Sequence, residues 1–283
     1  MSAPLYDRSD ICRTYFFPQV GSPLPRTRDA GPVDLHLGDG ARISAWLSRP
    51  IPGAPVLLYL HGNGECISDQ LDRWPDWARE AGANLLLVDY PGYGQSEGEP
   101  TFSSLRETAG AALAHLLRSS EREVPVVVVA GRSVGSIFAL DAASRTSSPR
   151  VRGLLLESAV ADVMRRLDLR VPYEDRGIDR GALRRDVERD FDHRRKMARI
   201  RGPVLVLHAR HDDLVPCWNG ERLAEWAGDR LHRRVLFDRG DHNSIQSVNE
   251  AAYRAELTDF VRRATARGGD DDDPLLDRRR NPS

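Results

Sequence analysis

Apolar residues recur along this chain in two distinct rhythms. Between residues 33 and 47 they alternate with polar ones. Val33-Asp34-Leu35-His36-Leu37 is followed by the turn signal Gly38-Asp39-Gly40 and then by Ile43-Ser44-Ala45-Trp46-Leu47. A period of two belongs to strands with one buried face, so two such runs around a glycine-rich turn predict an antiparallel hairpin at a sheet edge. His36 falls on its polar side and is expected at the surface. Beyond residue 55 the alternation gives way to unbroken apolar runs at residues 56–60, 85–88, 126–130, 153–156, 204–207 and 235–237. Runs of this kind predict strands covered on both faces. Helical patterns fall between them. One passes through Trp74, Trp77 and Ala81, and another starts at a Ser104-Leu105-Arg106-Glu107 capping box and runs to about Arg118. A last one carries Tyr253, Leu257 and Val261. Strands alternating with helices predict an α/β fold with a mostly parallel eight-stranded sheet and helices on both faces.

Three stretches break this rhythm. Residues 1–32 are rich in Pro and Gly around an aromatic patch, Tyr15-Phe16-Phe17, and are expected to lie over the domain as an arm. The main domain is expected to span 33–267. Within it, residues 160–201 are dense in arginine and acid and carry the breakers Pro172, Gly177 and Gly181. They are read as a small helical cap inserted between the sixth and seventh strands. So small an insertion offers little apolar surface to a long acyl chain, which predicts a relatively open site and a preference for short to medium acyl groups. Residues 268–283 lack apolar periodicity and are expected to be disordered.

Composition narrows the function classes. The 283 residues are 40% hydrophobic and 29% charged with a formal net charge of -1, so no global field favours nucleic acid. Lys196 is the only lysine, which nearly removes Ser–Lys dyads and Schiff-base chemistry. No run approaches the roughly 18 apolar residues of a membrane span, and residues 1–7 have no secretory pattern. Ser2 stands where N-myristoylation needs a glycine. Cys12, Cys66 and Cys217 are odd in number and widely spaced, as free thiols in a reducing compartment are. A cytoplasmic location is expected. Cys66 and Cys217 lie near the loops discussed next and are read as small packed residues.

The chemistry centres on residue 133. The run at 126–130 leads into Gly131-Arg132-Ser133-Val134-Gly135 and then into a helical stretch. G-x-S-x-G between strand and helix is the setting of a nucleophile elbow, a sharp turn that exposes a serine hydroxyl at the carboxyl end of a sheet. The amide of Val134 opens the helix and can donate to a developing oxyanion. A serine hydroxyl needs a base, and the base needs an orienting acid. In an open parallel sheet both belong on loops that follow strands. The last strand is followed by Gly240-Asp241-His242-Asn243, and the one before it by His208-Ala209-Arg210-His211-Asp212-Asp213-Leu214-Val215-Pro216. The order Ser133, an aspartate near 212, His242 results. Asp212 is favoured as the acid, with Asp213 pointing outward; Glu157 also ends a strand and is a third candidate. His208 is expected to pack in the wall, and His211 is poorly placed to act as base. After the 56–60 strand, His61-Gly62-Asn63-Gly64 can turn the Asn63 amide toward the same carbonyl oxygen. The Asn63 side chain, together with Asp89, Tyr93 and Ser96, is read as holding the adjoining loops.

Taken together, HGNGE, DYPGYGQSEG, GRSVG, HARHDDLVP and GDHN resemble the α/β-hydrolase superfamily over roughly residues 33–265. The resemblance is closest to small serine hydrolases with a reduced cap, a group with monoglyceride-lipase-like, serine-aminopeptidase-like and protein-depalmitoylating members. It implies an α/β-hydrolase fold, a catalytic triad of Ser133, Asp212 and His242, and oxyanion donors Asn63 and Val134. It implies a small-molecule ester or thioester substrate and no metal or organic cofactor. No nucleic acid and no integral membrane association are expected. Aminopeptidase or amidase chemistry on the same residues is the nearest alternative, and a non-catalytic binding protein on this fold is the next.

Overall fold

The computed structural model describes residues 3–266; the tail expected to be disordered lies outside the described residues. The strands are β1 (Ala30–His36), β2 (Arg42–Ser48), β3 (Val56–Leu60), β4 (Asn84–Val88), β5 (Val127–Arg132), β6 (Val151–Glu157), β7 (Val204–Ala209) and β8 (Leu231–Phe237). They form one sheet in the order β1-β2-β4-β3-β5-β6-β7-β8. The β1–β2 and β2–β4 pairings are antiparallel and the rest are parallel. Helix α1 (Ser9–Tyr15) precedes the sheet, and α2 (Ile67–Gln70) with α3 (Trp74–Glu80) joins β3 to β4. Next come α4 (Phe102–Arg118) before β5 and α5 (Val134–Arg145) after it. Helices α6 (Val163–Asp168), α7 (Arg180–Phe191) and α8 (His193–Met197) lie between β6 and β7. Helix α9 (Trp218–Ala227) leads to β8, and α10 (Ile245–Val248) and α11 (Glu250–Thr265) follow it.

The period-two geometry of a strand divides the apolar runs between two cores. Val56, Leu58 and Leu60 of β3 and Val127 and Val129 of β5 face the core that holds α4 and α5. Leu57, Tyr59, Val128 and Ala130 face the other, built on Trp74, Trp77, Tyr253 and Phe260. The β1–β2 hairpin lies at a sheet edge, as its pattern predicts. Of its two strands β1 is the edge; β2 lies against β4 and is buried along most of its length, while His36 is exposed. Helix α4 also starts earlier than its capping box suggested. Thr101 is the cap: its Oγ1 accepts from the Ser104 amide at 2.9 Å, and Ser104 Oγ accepts from the Thr101 amide at 2.9 Å. The earlier start seats Phe102 in the core with no exposed surface.

Phe102 is the hub that ties the first residues to the rest. Its ring meets Tyr6 at 5.7 Å, Tyr15 at 4.8 Å, Phe16 at 4.9 Å and Phe191 of α7 at 5.8 Å, geometries that aromatic pairs favour. Tyr6, Ile11, Tyr15 and Phe16 are all buried. The segment before β1 is thereby stitched to the 160–201 stretch. The Leu5 amide donates to Asp186, and the Tyr6 hydroxyl donates to Asp190 at 2.8 Å. Arg176 donates to the Asp10 carbonyl and to Thr14. Lys196, the sole lysine, pairs with buried Asp141 of α5 and so fixes α8 to the sheet side.

His193, also on α8, is buried against the Val160 carbonyl at 3.0 Å, and burial and the charge of Lys196 push its pKa down to about 4. The folded protein therefore keeps it neutral, whereas the unfolded chain takes up a proton below its ordinary value of 6.5. Stability from this residue is complete above pH 6.5 and is lost as the pH falls toward 4, by at most about 3 kcal/mol. His193→Asn, which keeps a donor for Val160, should show a smaller fall in Tm between pH 7 and pH 4.5 than the parent chain. Equal falls in thermal melts at the two pH values would remove His193 as a source of acid sensitivity.

Candidate active site

Ser133 sits between β5 and α5 with φ 51° and ψ -120°, one of two non-glycine residues with positive φ among the described residues. Such a backbone costs about 1–3 kcal/mol and persists only where its surroundings enforce it. Two close approaches do so. A Cβ on Gly131 would lie 2.6 Å from the Gly135 carbonyl oxygen, and a Cβ on Gly135 would lie 2.2 Å from the Leu60 oxygen and 2.5 Å from that of His61. The first turn of α5 therefore presses on the end of β3. That contact sets the opening amides of the helix, which have no intrahelical acceptor, beside the His61-Gly62-Asn63 loop. Val134 and Asn63 are thus brought to the same end of the sheet.

His242, on the loop after β8, reaches both of its neighbours. Its Nε2 lies 3.0 Å from Ser133 Oγ and its Nδ1 lies 2.7 Å from Asp212 Oδ2. A carboxylate only accepts, so Nδ1 carries the proton and Nε2 accepts from the serine hydroxyl. All three residues are buried. Burial alone would raise the Asp212 pKa. Hydrogen bonds from His208 and His242, with the charge of His242 and the Val215 amide, hold it far below the ordinary carboxylate range. Asp212 Oδ1 also accepts from the amides of Leu214 at 3.0 Å and Val215 at 2.7 Å. Asp213 and His211 are exposed on the same loop. His208 is buried and donates from Nε2 to the Val215 carbonyl at 2.7 Å.

The Asn63 side chain is engaged elsewhere. Its Nδ2 donates to the Tyr15 carbonyl at 2.6 Å, and its Oδ1 accepts from the Phe17 amide at 2.8 Å and the Tyr93 hydroxyl at 2.6 Å. The aromatic patch of the first residues is therefore part of the site's wall. Cys66 is buried beside Ser68 and Asp69, and burial pushes its thiol up, away from thiolate reactivity. Among the described residues no group of three His, Cys, Asp or Glu side chains is arranged to hold a metal ion.

Glu157, the third acid candidate, does not face the histidine ring. It accepts from Arg132 Nε at 3.1 Å, Gln246 at 2.8 Å and the Tyr253 hydroxyl at 2.8 Å. Arg132 is the residue that motif reasoning passed over. Its guanidinium also pairs with Glu65 and donates to the His242 carbonyl at 2.6 Å. Glu65 Oε2 in turn accepts from the Gly62 amide at 3.0 Å. One buried cation thus links the loop of Asn63 to the loop of His242. A signal for it was present: a charged residue ending a buried strand requires a partner, and Arg132 stands opposite Glu157 in the β5–β6 register.

No family model matches the chain. It is 23% identical over 256 residues to the uncharacterised protein YfhR of Escherichia coli K12, covering 87% of this chain and 86% of that one. It is 27% identical over 205 residues to the alpha/beta hydrolase domain-containing protein WAV2 of Arabidopsis thaliana, covering 69% of this chain and 66% of that one. The Pyrococcus furiosus esterase Pf2001 superposes with a TM-score of 0.70 at 15% identity, over 89% of this chain and 98% of that structure. The chain belongs to the α/β-hydrolase superfamily. Among the described residues of this α/β-hydrolase, no helix is long and apolar enough to cross a membrane.

Removing the Arg132 charge strands a buried carboxylate and a buried carbonyl. Arg132→Met should destabilise this α/β-hydrolase by about 3–5 kcal/mol in urea unfolding. A loss below 1 kcal/mol would show that the link between the two loops is not structural.

Proposed function

We propose that this protein is a serine hydrolase that cleaves a carboxylic ester or thioester through an acyl-enzyme. The observation that carries the reading is the continuous hydrogen-bonded chain Ser133 Oγ, His242 Nε2, His242 Nδ1, Asp212 Oδ2, with separations of 3.0 and 2.7 Å. As Ser133 Oγ attacks the acyl carbon, its proton passes to His242 Nε2. The same nitrogen then returns the proton to the departing alkoxide or thiolate. Water, deprotonated by His242 in the same way, cleaves the acyl-serine and restores the hydroxyl. Asp212 holds the tautomer with the proton on Nδ1 and stabilises the imidazolium between steps. The backbone amides of Val134 and Asn63 take the carbonyl oxygen as it gains charge. Asn63 contributes its main chain, since its side chain is committed to Tyr15, Phe17 and Tyr93.

Residues 160–201 act in this reading as a small cap. Their apolar side chains Met164, Leu167, Val171 and Leu183 are buried in the main core, which leaves Leu169 as their large exposed apolar group. This favours short to medium acyl groups. An aminopeptidase would need a carboxylate for the substrate's ammonium; Arg166 and Arg170, which touch the Leu214 carbonyl and the Tyr15 and Phe17 rings, are cationic.

A fluorophosphonate probe should label the protein once, and Ser133→Ala should abolish labelling. Asp212→Asn should lower kcat on a p-nitrophenyl ester by roughly 10⁴, because the wrong histidine tautomer is held. Asp213→Asn should cost far less. Persistent labelling of the alanine variant, or a larger loss in Asp213→Asn than in Asp212→Asn, would break the assignment.

A further inference from the structure

Two arginines that touch residues adjoining the Asp212 and Asn63 loops have no carboxylate within ion-pair distance among the described residues. Arg166 lies on α6 and Arg170 in the turn just past its end, near enough for the two charges to act on each other. Arg166 donates to the carbonyl of Leu214, whose amide donates to Asp212 at 3.0 Å. The guanidinium of Arg170 stands 5.6 Å from the ring of Tyr15 and 5.4 Å from that of Phe17. These two residues hold the Asn63 side chain through a carbonyl and an amide. One arginine therefore leans on the acid loop and the other on the oxyanion loop, with Ser133 between those loops.

Other arginines of the same segment are differently placed. Arg180 pairs with Asp168, and Arg189 pairs with Asp186 and Asp190. Arg166 and Arg170 are half-buried, and among the described residues neither has a carboxylate within ion-pair distance. Burial first, and the neighbouring charge of Arg166 second, lower the pKa of Arg170. Two like charges sharing a partly desolvated place are unfavourable until an anion joins them. The guanidinium fork matches a carboxylate or phosphate group in charge and geometry. Around them lie the exposed side chains of Phe17, Leu169 and Leu214, at 48%, 68% and 45% exposure. That fringe suits the methylenes of a small substrate whose far end is charged.

We propose that Arg166 and Arg170 form an anion-binding element at the rim of the site, selecting esters that carry a carboxylate or phosphate on the acyl or the alcohol part. The proposal rests on the hydrolase reading above and specifies its substrate class. Aromatic stacking from Tyr15 and Phe17 holds Arg170 in place before substrate arrives, so less ordering is required on binding.

The test compares kcat/KM within matched pairs at low ionic strength. Monoethyl adipate against ethyl hexanoate places a carboxylate on the acyl side. 4-Butyryloxybenzoate against phenyl butyrate places it on the alcohol side, and 2-phosphoethyl butyrate against ethyl butyrate places a phosphate there. At least one pair should favour the anion by about 10- to 100-fold, the effect of a charge-assisted hydrogen bond or two. The pairs that respond identify the side and the group. Arg166→Gln and Arg170→Gln should each reduce that ratio at least about fivefold, mainly through KM. Arg166→Lys and Arg170→Lys, which retain the charge, should keep more of it, and Arg79→Gln, remote from the site, should not change it. Thermal melts of each variant separate misfolding from lost recognition, and the Lys variants carry the comparison if a Gln variant does not fold. Ratios near one in all three pairs, or a preference that survives in both Gln variants, would overturn the proposal while leaving the hydrolase reading intact. No turnover of any of the six esters, together with no fluorophosphonate labelling of Ser133, would overturn both.

Discussion

The buried guanidinium of Arg132 is the constraint around which the floor of the site is arranged. A cation removed from water must be paired and hydrogen-bonded or it destabilises the fold by several kcal/mol. Here Glu157, Glu65 and the His242 carbonyl together satisfy it. Each partner belongs to a different loop or strand end, so satisfying one charge fixes three pieces of backbone at once. The strained turn at Ser133 is the next residue along. The same neighbourhood that neutralises the cation helps hold the serine where an unconstrained chain would not leave it.

Much of this was legible in the residue pattern because it follows from periodicity and from close contact. Continuous apolar runs mark strands buried on both faces, and β3, β4 and β7 are buried at every position. Gly131 and Gly135 flag places where backbone meets backbone. Ser133, Asp212 and His242 each follow a strand, so the topology alone carries them to one end of the sheet. Asp212 was separable from Asp213 by spacing, and burial now sets the two apart.

What stayed hidden depended on contacts between residues far apart in the chain. Nothing local to Tyr6, Tyr15 or Phe16 tells that they will surround Phe102, because that ring lies far along the chain. The burial of β2 on both faces was obscured for a related reason. Polar Ser44 and Ser48 lie in a buried strand, and Ser44 has its amide satisfied by Ser96. Alternation in sequence reported residue type correctly and burial incorrectly. Arg132 and Glu157 are a milder case: each was visible as an oddity, and only their register made them a pair.

The stitching of the segment before β1 to residues 176–190 bears on how the molecule is made. The hydroxyl of Tyr6 meets Asp190 at a sequence separation of 184 residues, and Arg176 meets Thr14 at 162. Contacts so distant in sequence form late, after the entropy of closing a long loop has been overcome. During synthesis the aromatic residues of this segment leave the ribosome well before their partners exist. Through that interval Tyr6, Ile11, Tyr15 and Phe16 lack the partners that bury them and are open to non-native association. This part of the structure is thus built from residues made long before their partners and is among the last to settle.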